Sequence, residues 1–175
     1  MKKSAVSAKH GSPDQPLKIG DVSIECYVLE DGRRVLLYAD LQKAIGLADG
    51  GSMVAGKTRL EQFASGARLA KLIHPELLAL LGNPIKIRKP DTGTLAYALE
   101  AETLPAICEA VVEAARRGIL QAQQLFIAHQ CEVILAGLSR VGIVALVDEA
   151  TGFQRIREED ELRRILDAYL LPEHR

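Results

Sequence analysis

Two segments of the chain have the residue types of a nucleotide-binding site. The first, Gly51–Thr58, reads GSMVAGKT and matches the phosphate-loop pattern G-x-x-x-x-G-K-[ST]. In such a loop, backbone N–H groups surround the phosphates, the lysine reaches the terminal phosphates and the hydroxyl binds magnesium. The second, Gly142–Gln154, reads GIVALVDEATGFQ and fits an apolar strand that ends in two acids, Asp148 and Glu149. Together they raise the hypothesis of a P-loop-like nucleotide hydrolase.

The sequence around both segments argues against that hypothesis. A phosphate loop follows a strand of a parallel α/β fold, whereas the residues before Gly51, DLQKAIGLADGG, have helical period and then loop composition. The second segment also fits a helix, because Val141 and Ala145 continue the helical spacing from Leu138. Gly152 is then predicted to end that helix in the left-handed conformation. We therefore expect no catalysis, and the hydrolase remains the alternative.

If this segment is helical, its C-terminal end is predicted to be a structural turn. Asp148 and Glu149 would lie near a helix C-terminus, where the helix macrodipole disfavours acids. Arg155 and Arg157 follow the stop at Gly152 and are predicted to pair with the two acids. The competing interpretation gives the acids a role as magnesium ligands or as a general base.

Composition excludes several classes of protein. Hydrophobic residues make up 48% of the 175 positions, enough to fill a core. The three cysteines form no C-x-x-C pair and the four histidines lack metal-ligand spacing, so we expect a reduced, cytoplasmic protein without metal or cofactor. We expect no membrane partner, because no apolar run approaches the ~20 residues that cross a bilayer. Aromatic residues make up only 4%, which argues against binding single strands by stacking.

Charge is unevenly distributed along the chain. The net charge is -1 over residues 1–32, +6 over 33–90 and -6 over 91–175. A basic middle segment predicts a surface that faces a polyanion. The alternative is that the basic and acidic parts neutralise each other across an intramolecular interface.

Hydrophobic periodicity predicts an α+β fold. Its N-terminal part has β-hairpins with short helices, and its C-terminal part is an antiparallel helical bundle. The first hairpin is predicted to turn at Asp31-Gly32 and the second at Pro90–Gly93.

The same pattern divides the chain into three parts. Residues 1–16 are polar and rich in turn-forming residues, so they are predicted to be a disordered tail. Residues 17–100 form the hairpin-plus-helix region. Residues 101–175 form the helical region, whose last helix is predicted over residues 156–171.

The GIVALVDEATGFQ segment also resembles a signature of phage and prophage-associated proteins, the so-called P-sixty-three C-terminal domain family, which usually has Tyr where this chain has Phe153. The segments CYVLEDGRRVL with LQKAIG, GTLAYALEAETLPAICEAVVEAARRG and AHQCEVILAGLSRVG follow the order of that family. The resemblance covers most of residues 17–171. Family members usually continue into a further domain, which implies that this chain is a truncated form. No function is settled for the family.

A second resemblance concerns the order of predicted elements in the N-terminal part of the chain. A hairpin followed by the DLQKAIG helix is similar to the Bro-N and KilA-N domains of viral and phage proteins. Those domains bind DNA and occur in antirepressors. The resemblance implies a phage-type DNA-binding or antirepressor-like regulatory module without catalysis.

Seven basic residues of the middle segment are the predicted phosphate contacts. They are Lys57, Arg59, Arg68, Lys71, Lys86, Arg88 and Lys89. The run from Lys86 to Lys89 lies on the second predicted hairpin. It is the most notable group, because a two-stranded ribbon fits a DNA major groove. The alternative function is a helical protein-interaction or dimerisation module, in which the C-terminal helices form a homodimer or hold a protein partner.

Overall fold

A computed structural model of the chain describes residues 4–19, 21–47, 56–153 and Leu166. Within these residues the fold is α+β, as predicted. The strands are β1 (Val6–His10), β2 (Leu17–Ile19), β3 (Val22–Ile24), β4 (Cys26–Leu29), β5 (Arg34–Leu37), β6 (Ile85–Arg88) and β7 (Leu95–Glu100). The helices are α1 (Tyr38–Ala44), α2 (Arg59–Ala64), α3 (Pro75–Leu81), α4 (Thr103–Arg116) and α5 (Leu125–Thr151). Short 3₁₀ helices at Leu69–Lys71 and Ala122–Gln124 precede α3 and α5.

Five of the described strands form a closed barrel in the order β1-β4-β5-β7-β6. Neighbouring strands are antiparallel except β1 and β6, which are parallel. The strand pairs β4–β5 and β6–β7 correspond to the two predicted hairpins, with turns at Asp31-Gly32 and Pro90–Gly93. The prediction of hairpins is nevertheless incomplete, because β5 also pairs with β7, and β1 pairs with β4 and β6 to close all five strands into one barrel. Strands β2 and β3 form their own two-stranded sheet.

Strand β1 lies in residues 1–16, which were expected to be a disordered tail, so that prediction is wrong for the described residues. Val6 of β1 pairs with Ile87 of β6, and Ala8 pairs with β4. Val6 and Ala8 both belong to the apolar interior of the barrel. Two small apolar residues among polar neighbours are too weak a signal to predict a strand. The neighbouring strands stabilise it by pairing with its backbone groups.

Strand alternation divides the apolar side chains between two cores. Side chains on the inner faces of the strands fill the barrel: Ala8, Tyr27, Leu29, Val35, Ile87 and Ala98. Leu36 and Leu99 lie opposite each other on β5 and β7 and point to the other side of the sheet. They are only 3% and 2% exposed, because they pack in the larger core that the helices form. The wall of the barrel at β5 and β7 therefore packs against the helices.

Helices α4 and α5 pack against each other and supply much of this larger core. Ile107, Cys108 and Val111 of α4 recur at helical spacing and are fully buried. Cys131 and Ile134 of α5 are fully buried in the same core. The predicted helical region thus contains two packed helices. The apolar residues of α4 form one stripe, whereas α5 also carries exposed apolar residues on its other side.

Helix α5 contains most of the GIVALVDEATGFQ segment. Gly152 follows the helix with a φ of 77°, so the predicted left-handed stop is confirmed. The interpretation of this segment as a strand that ends in a magnesium-binding acid is wrong, since Asp148 lies within the helix. The last predicted helix, over residues 156–171, lies outside the described residues except for Leu166, which is helical and buried in the larger core.

Helix α5 is more apolar than the sequence led us to expect. With the turn before it, the helical segment Ala122–Thr151 contains an 18-residue window with a mean hydropathy of 1.7, so by length and composition it could cross a membrane. The expectation that no such run exists is therefore wrong by length and composition. Glu132 and Arg140 interrupt the apolar run in the sequence, but both are exposed on the helix. A mostly buried core helix passes the same test, but only 17% of this window is buried. One side of α5 packs in the larger core, and much of its other apolar surface is exposed.

The close approach of Gly11 to β4 provides a test of the barrel. Gly11 has a φ of 122°, and a Cβ atom there would lie 2.4 Å from the Cys26 carbonyl oxygen and 2.6 Å from Cδ1 of Tyr27. We expect Gly11→Ala to lower the free energy of unfolding by about 2–5 kcal/mol, because the clash adds to the strain of a positive φ. Urea unfolding followed by circular dichroism measures the loss.

Gly32→Ala is the matched control for this variant. Gly32 also has a positive φ, 86°, but no heavy atom lies within 4 Å of a Cβ built there. We expect it to lose only about 1–2 kcal/mol, the cost of the left-handed backbone alone. Equal losses for the two variants would contradict the close contact between Gly11 and β4.

Candidate nucleic-acid interface

The outer side of strands β1, β6 and β7 presents a surface that we call the basic strand face. Lys86 of β6 lies directly opposite Tyr97 of β7, and Arg88 lies opposite Leu95. Ser7 of β1 is the neighbour of Arg88 on the other side. The residues between these positions point into the barrel. The basic strand face therefore consists of Ser7, Lys9, Lys86, Arg88, Leu95 and Tyr97.

This face combines positive charge with exposed apolar surface. Its six positions carry three cations and no acid. Tyr97 is 57% exposed and Leu95 is 45% exposed, so each places apolar surface beside the cations. Arg88 donates a hydrogen bond from Nη1 to the Gly93 carbonyl oxygen at 3.1 Å. That bond holds the guanidinium group at the end of the β6–β7 hairpin.

The structure divides the seven predicted phosphate contacts among different elements. Four exposed cations lie in the helical segment between β5 and β6: Lys57, Arg59, Arg68 and Lys71. Lys86 and Arg88 lie on β6, in the basic strand face. Lys89 follows directly after β6 but belongs to neither group, because it forms an ion pair within the barrel.

Lys89 is held by Glu25 at one end of the barrel. Its Nζ atom lies 2.7 Å from Oε1 of Glu25, and the two side chains are only 19% and 16% exposed. The hydroxyl of Tyr27 donates a hydrogen bond to the same carboxylate oxygen. Burial, and then the hydrogen bond to Glu25, raise the pKa of Tyr27 well above its usual value. A lysine held in this way is poorly placed to contact phosphates. Lys89 is therefore not part of the basic strand face.

Asp40 of α1 fixes the backbone of the same glutamate. The N–H group of Glu25 donates to Oδ2 of Asp40 at 2.8 Å. Its carbonyl oxygen accepts from the N–H group of Leu37 at 2.9 Å. The position of the Glu25 carboxylate is therefore set by α1 and β5, and the Lys89 ion pair links the end of β6 to them.

The residues that end the phosphate-loop pattern cap a helix. Thr58 is the N-cap of α2, and its side-chain oxygen accepts from the N–H group of Glu61 at 3.1 Å. The Glu61 carboxylate accepts from the N–H group of Thr58 at 3.1 Å, which completes a capping box. The hydroxyl of Tyr38 lies 2.8 Å from the Thr58 side-chain oxygen. Burial raises the pKa of Tyr38 to about 12.

The elements around Gly51–Thr58 differ from those that a phosphate loop requires. The element before it is helix α1, which ends at Ala44, whereas a phosphate loop follows a strand. Residues 48–55 lie outside the described part of the chain. Asp148 and Glu149, the proposed acidic partners, lie on helix α5. These placements count against the nucleotide hydrolase.

The predicted structural turn at the end of α5 is borne out in its backbone. The N–H group of Gly152 donates to the Glu149 carbonyl oxygen at 3.2 Å. The hydroxyl of Thr151 donates to the Val147 carbonyl oxygen at 2.8 Å. Asp148 is buried. Arg155 and Arg157 lie outside the described residues, so their pairing with Asp148 and Glu149 stays a prediction.

The described residues contain no group of three or more His, Cys, Asp or Glu side chains that could hold a metal ion. Cys108 and Cys131 are free thiols buried in the larger core, and Cys26 is half-buried. Interaction with the Cys131 thiol, followed by burial, raises the pKa of Cys108. A raised pKa keeps this thiol protonated, and a protonated thiol is a poor nucleophile.

Sequence reasoning found only Lys86 and Arg88 of the basic strand face. Ser7 and Lys9 were assigned to a disordered tail, and Leu95 and Tyr97 were treated only as part of a hairpin. A usable signal was present for Tyr97. The turn at Pro90–Gly93 fixes the register, and that register places Tyr97 opposite Lys86.

Comparison with protein-family models, with curated proteins and with solved structures found no match to this chain.

The ion pair between Lys89 and Glu25 gives a stability test. We expect Lys89→Met to lower the free energy of unfolding by about 1–3 kcal/mol, because it leaves a largely buried carboxylate without its cation. Adding Glu25→Gln to this variant should restore part of the loss, since the unpaired charge is then removed. Urea unfolding of the two single variants and the double variant measures the coupling.

Lys86→Met is the control, because Lys86 lies three residues away on the basic strand face. Its substitution should change the free energy of unfolding by less than about 0.5 kcal/mol. A loss for Lys89→Met no larger than that for Lys86→Met would show that the ion pair does not stabilise the barrel.

Proposed function

We propose that this chain is a nucleic-acid-binding regulatory module that acts without catalysis, of the phage-type DNA-binding or antirepressor-like kind that its sequence resembles. The observation that carries the proposal is the basic strand face, where three cations and no acid share the outer side of three adjacent strands. A regulator of this kind acts in the cytoplasm, in keeping with three unpaired cysteines.

Electrostatics supports a polyanionic partner for this face. Lys86 and Arg88 lie on one strand two residues apart, so their side chains are about 7 Å apart along it. Cations on a rigid strand lose little freedom when they meet phosphates, and each phosphate contact releases counterions. The partner would be bound with strong salt dependence and through phosphates more than through base edges.

The four exposed cations between β5 and β6 form a second possible contact area. Lys57 and Arg59 adjoin the N-terminus of α2, while Arg68 and Lys71 lie at the 3₁₀ helix that follows it. They stay candidate phosphate contacts. The basic strand face is the stronger candidate, because it also offers apolar surface.

The double variant Lys86→Ala/Arg88→Ala tests the proposal. We expect it to weaken binding of fluorescein-labelled DNA by about 10-fold or more at low salt. We also expect the slope of log affinity against log salt to fall by about 1.5, because two phosphate contacts are lost. Fluorescence anisotropy across a salt series measures both quantities.

The matched control is Arg116→Ala/Arg117→Ala, which removes the same charge from the C-terminal end of α4. Both side chains are exposed, and both form ion pairs with Glu113. At the points of the salt series near about 0.1 M, we expect this control to bind DNA within about 2-fold of the unmodified protein, because attraction between exposed charges is screened beyond ~10 Å there. The proposal fails if the unmodified protein does not bind DNA at low salt, or if both double variants lose equal affinity.

A protein-interaction or dimerisation module is the second candidate, and one observation favours it. Ile143, Leu146 and Val147 lie on one side of α5, and each is more than half exposed. An apolar stripe at i, i+3 and i+4 is how a helix contacts another helix. In this proposal α5 belongs to an antiparallel helical bundle whose outer side joins a second copy of the chain. The two candidate functions are compatible, because the surfaces lie on different elements.

Leu146→Glu tests the dimer. We expect the protein to elute as a dimer and the variant as a monomer at the same concentration, because a charge cannot be buried in an apolar seam. Size-exclusion chromatography with light scattering measures the mass. Leu80→Glu, which adds the same charge at an exposed leucine on α3, is the control and should leave the mass unchanged. A monomeric unmodified protein would exclude the dimer.

A further inference from the structure

We propose that the basic strand face binds single-stranded nucleic acid, with the ring of Tyr97 as a stacking platform for an unpaired base. This inference rests on the proposed function and names the form of nucleic acid that the same surface takes. It replaces the expectation that strands β6 and β7 enter a major groove as a ribbon.

The barrel prevents β6 and β7 from acting as a free ribbon. Strand β6 is paired with β1 on its outer side, and β7 is paired with β5 on the other. A groove-reading ribbon has to be narrow enough to enter the groove with both edges. Here the two strands form part of a closed, five-stranded wall. A ligand therefore meets the face as a surface, and only the four-residue turn Pro90–Gly93 extends beyond it.

Tyr97 occupies the position on this wall where stacking is possible. Its side chain is 57% exposed and lies directly opposite Lys86. Leu95, two residues earlier on the same side, lies opposite Arg88. Each apolar side chain is therefore paired with a cation. A base that stacks on Tyr97 would have its phosphate within reach of Lys86, and a neighbouring nucleotide would meet Leu95 and Arg88.

Base stacking distinguishes single strands from duplex. In a duplex both faces of each base are covered by the neighbouring base pairs, so an aromatic ring on a protein surface has no base face to contact. An unpaired strand exposes those faces, and every base has one. Stacking on aromatic rings within a positively charged surface is the general means by which proteins bind single strands without sequence preference. The exposed ring of Tyr97 thus favours an unpaired strand.

The small number of aromatic residues does not weigh against this inference. Tyr27 and Tyr38 are buried and use their hydroxyl groups in hydrogen bonds inside the protein. Of the described tyrosines, Tyr97 is the one that faces solvent. A platform for one or two bases needs one ring, and this ring lies on β7 directly beside β6, the strand that carries Lys86 and Arg88.

The experiment compares two probes and three variants. The probes are a labelled 15-nucleotide oligothymidylate and a labelled 15-base-pair duplex, each measured by fluorescence anisotropy at low salt. The variants are Tyr97→Ala, Tyr97→Phe and Tyr97→Leu. Tyr97→Phe keeps the ring, whereas Tyr97→Leu keeps apolar bulk without a ring. Thermal unfolding of each variant checks that the barrel is intact.

We expect the unmodified protein to bind the oligothymidylate more tightly than the duplex. We expect Tyr97→Ala and Tyr97→Leu to lose about 5- to 100-fold in affinity for the oligothymidylate, the range found when a stacked ring is removed. Tyr97→Phe should stay within about 2-fold. For the duplex, all three variants should stay within about 2-fold.

Two results would overturn the inference, and they separate it from the proposed function. If the duplex binds more tightly and Tyr97→Leu changes nothing, while Lys86→Ala/Arg88→Ala still weakens binding, the chain is a duplex-binding module and only the stacking inference fails. If neither probe binds at low salt, the proposed function and this inference fail together. Because Tyr97→Leu keeps the apolar contact, the inference can be tested even if Tyr97→Ala proves unstable.

Discussion

The contact between Leu36 and Leu99 is the one on which the rest of the structure depends. These two residues face each other across β5 and β7 and are buried on the helical side of the sheet. Their neighbours along the same strands, Val35 and Ala98, are buried inside the barrel. Two adjacent strands thus serve two cores, and a strand buried on both faces has little freedom to slip in register. The helices do not cover strands β1 and β6. The outward side chains of these two strands therefore face solvent.

This difference between covered and uncovered strands decides where a ligand has access. Leu99 lies on the same side of β7 as Tyr97, but the helices cover Leu99 and leave Tyr97 exposed. The boundary of the helical core therefore runs across β7 between these two residues. Beyond that boundary the outward positions are polar, basic or aromatic, with Leu95 as the apolar exception. The ion pair between Lys89 and Glu25 lies inside the barrel end instead, so the adjacent basic residues of the IKIRK segment have two different roles.

The sequence predicted those features that depend on local chemistry. The turn at Asp31-Gly32, the left-handed stop at Gly152 and the apolar stripe of α4 each follow from a few adjacent residues. Features set by distant pairing were missed. Strand β1 has a weak pattern and is stabilised by β4 and β6, and Lys89 differs from Lys86 only because Glu25 approaches it. The phosphate-loop match misled for a different, local reason, since Thr58 and Glu61 form a capping box that begins α2.

The parallel pairing of β1 with β6 has a consequence for how the barrel forms. Val6 is paired with Ile87, so closure brings together residues about 80 positions apart, and such high contact order slows folding. Until β6 and β7 are made and in place, β1 has no parallel neighbour and the unpaired edge of β4–β5 stays open to other chains. The barrel therefore cannot close until β7 has been synthesised, and a fusion attached close to Val6 would act on the seam between β1 and β6.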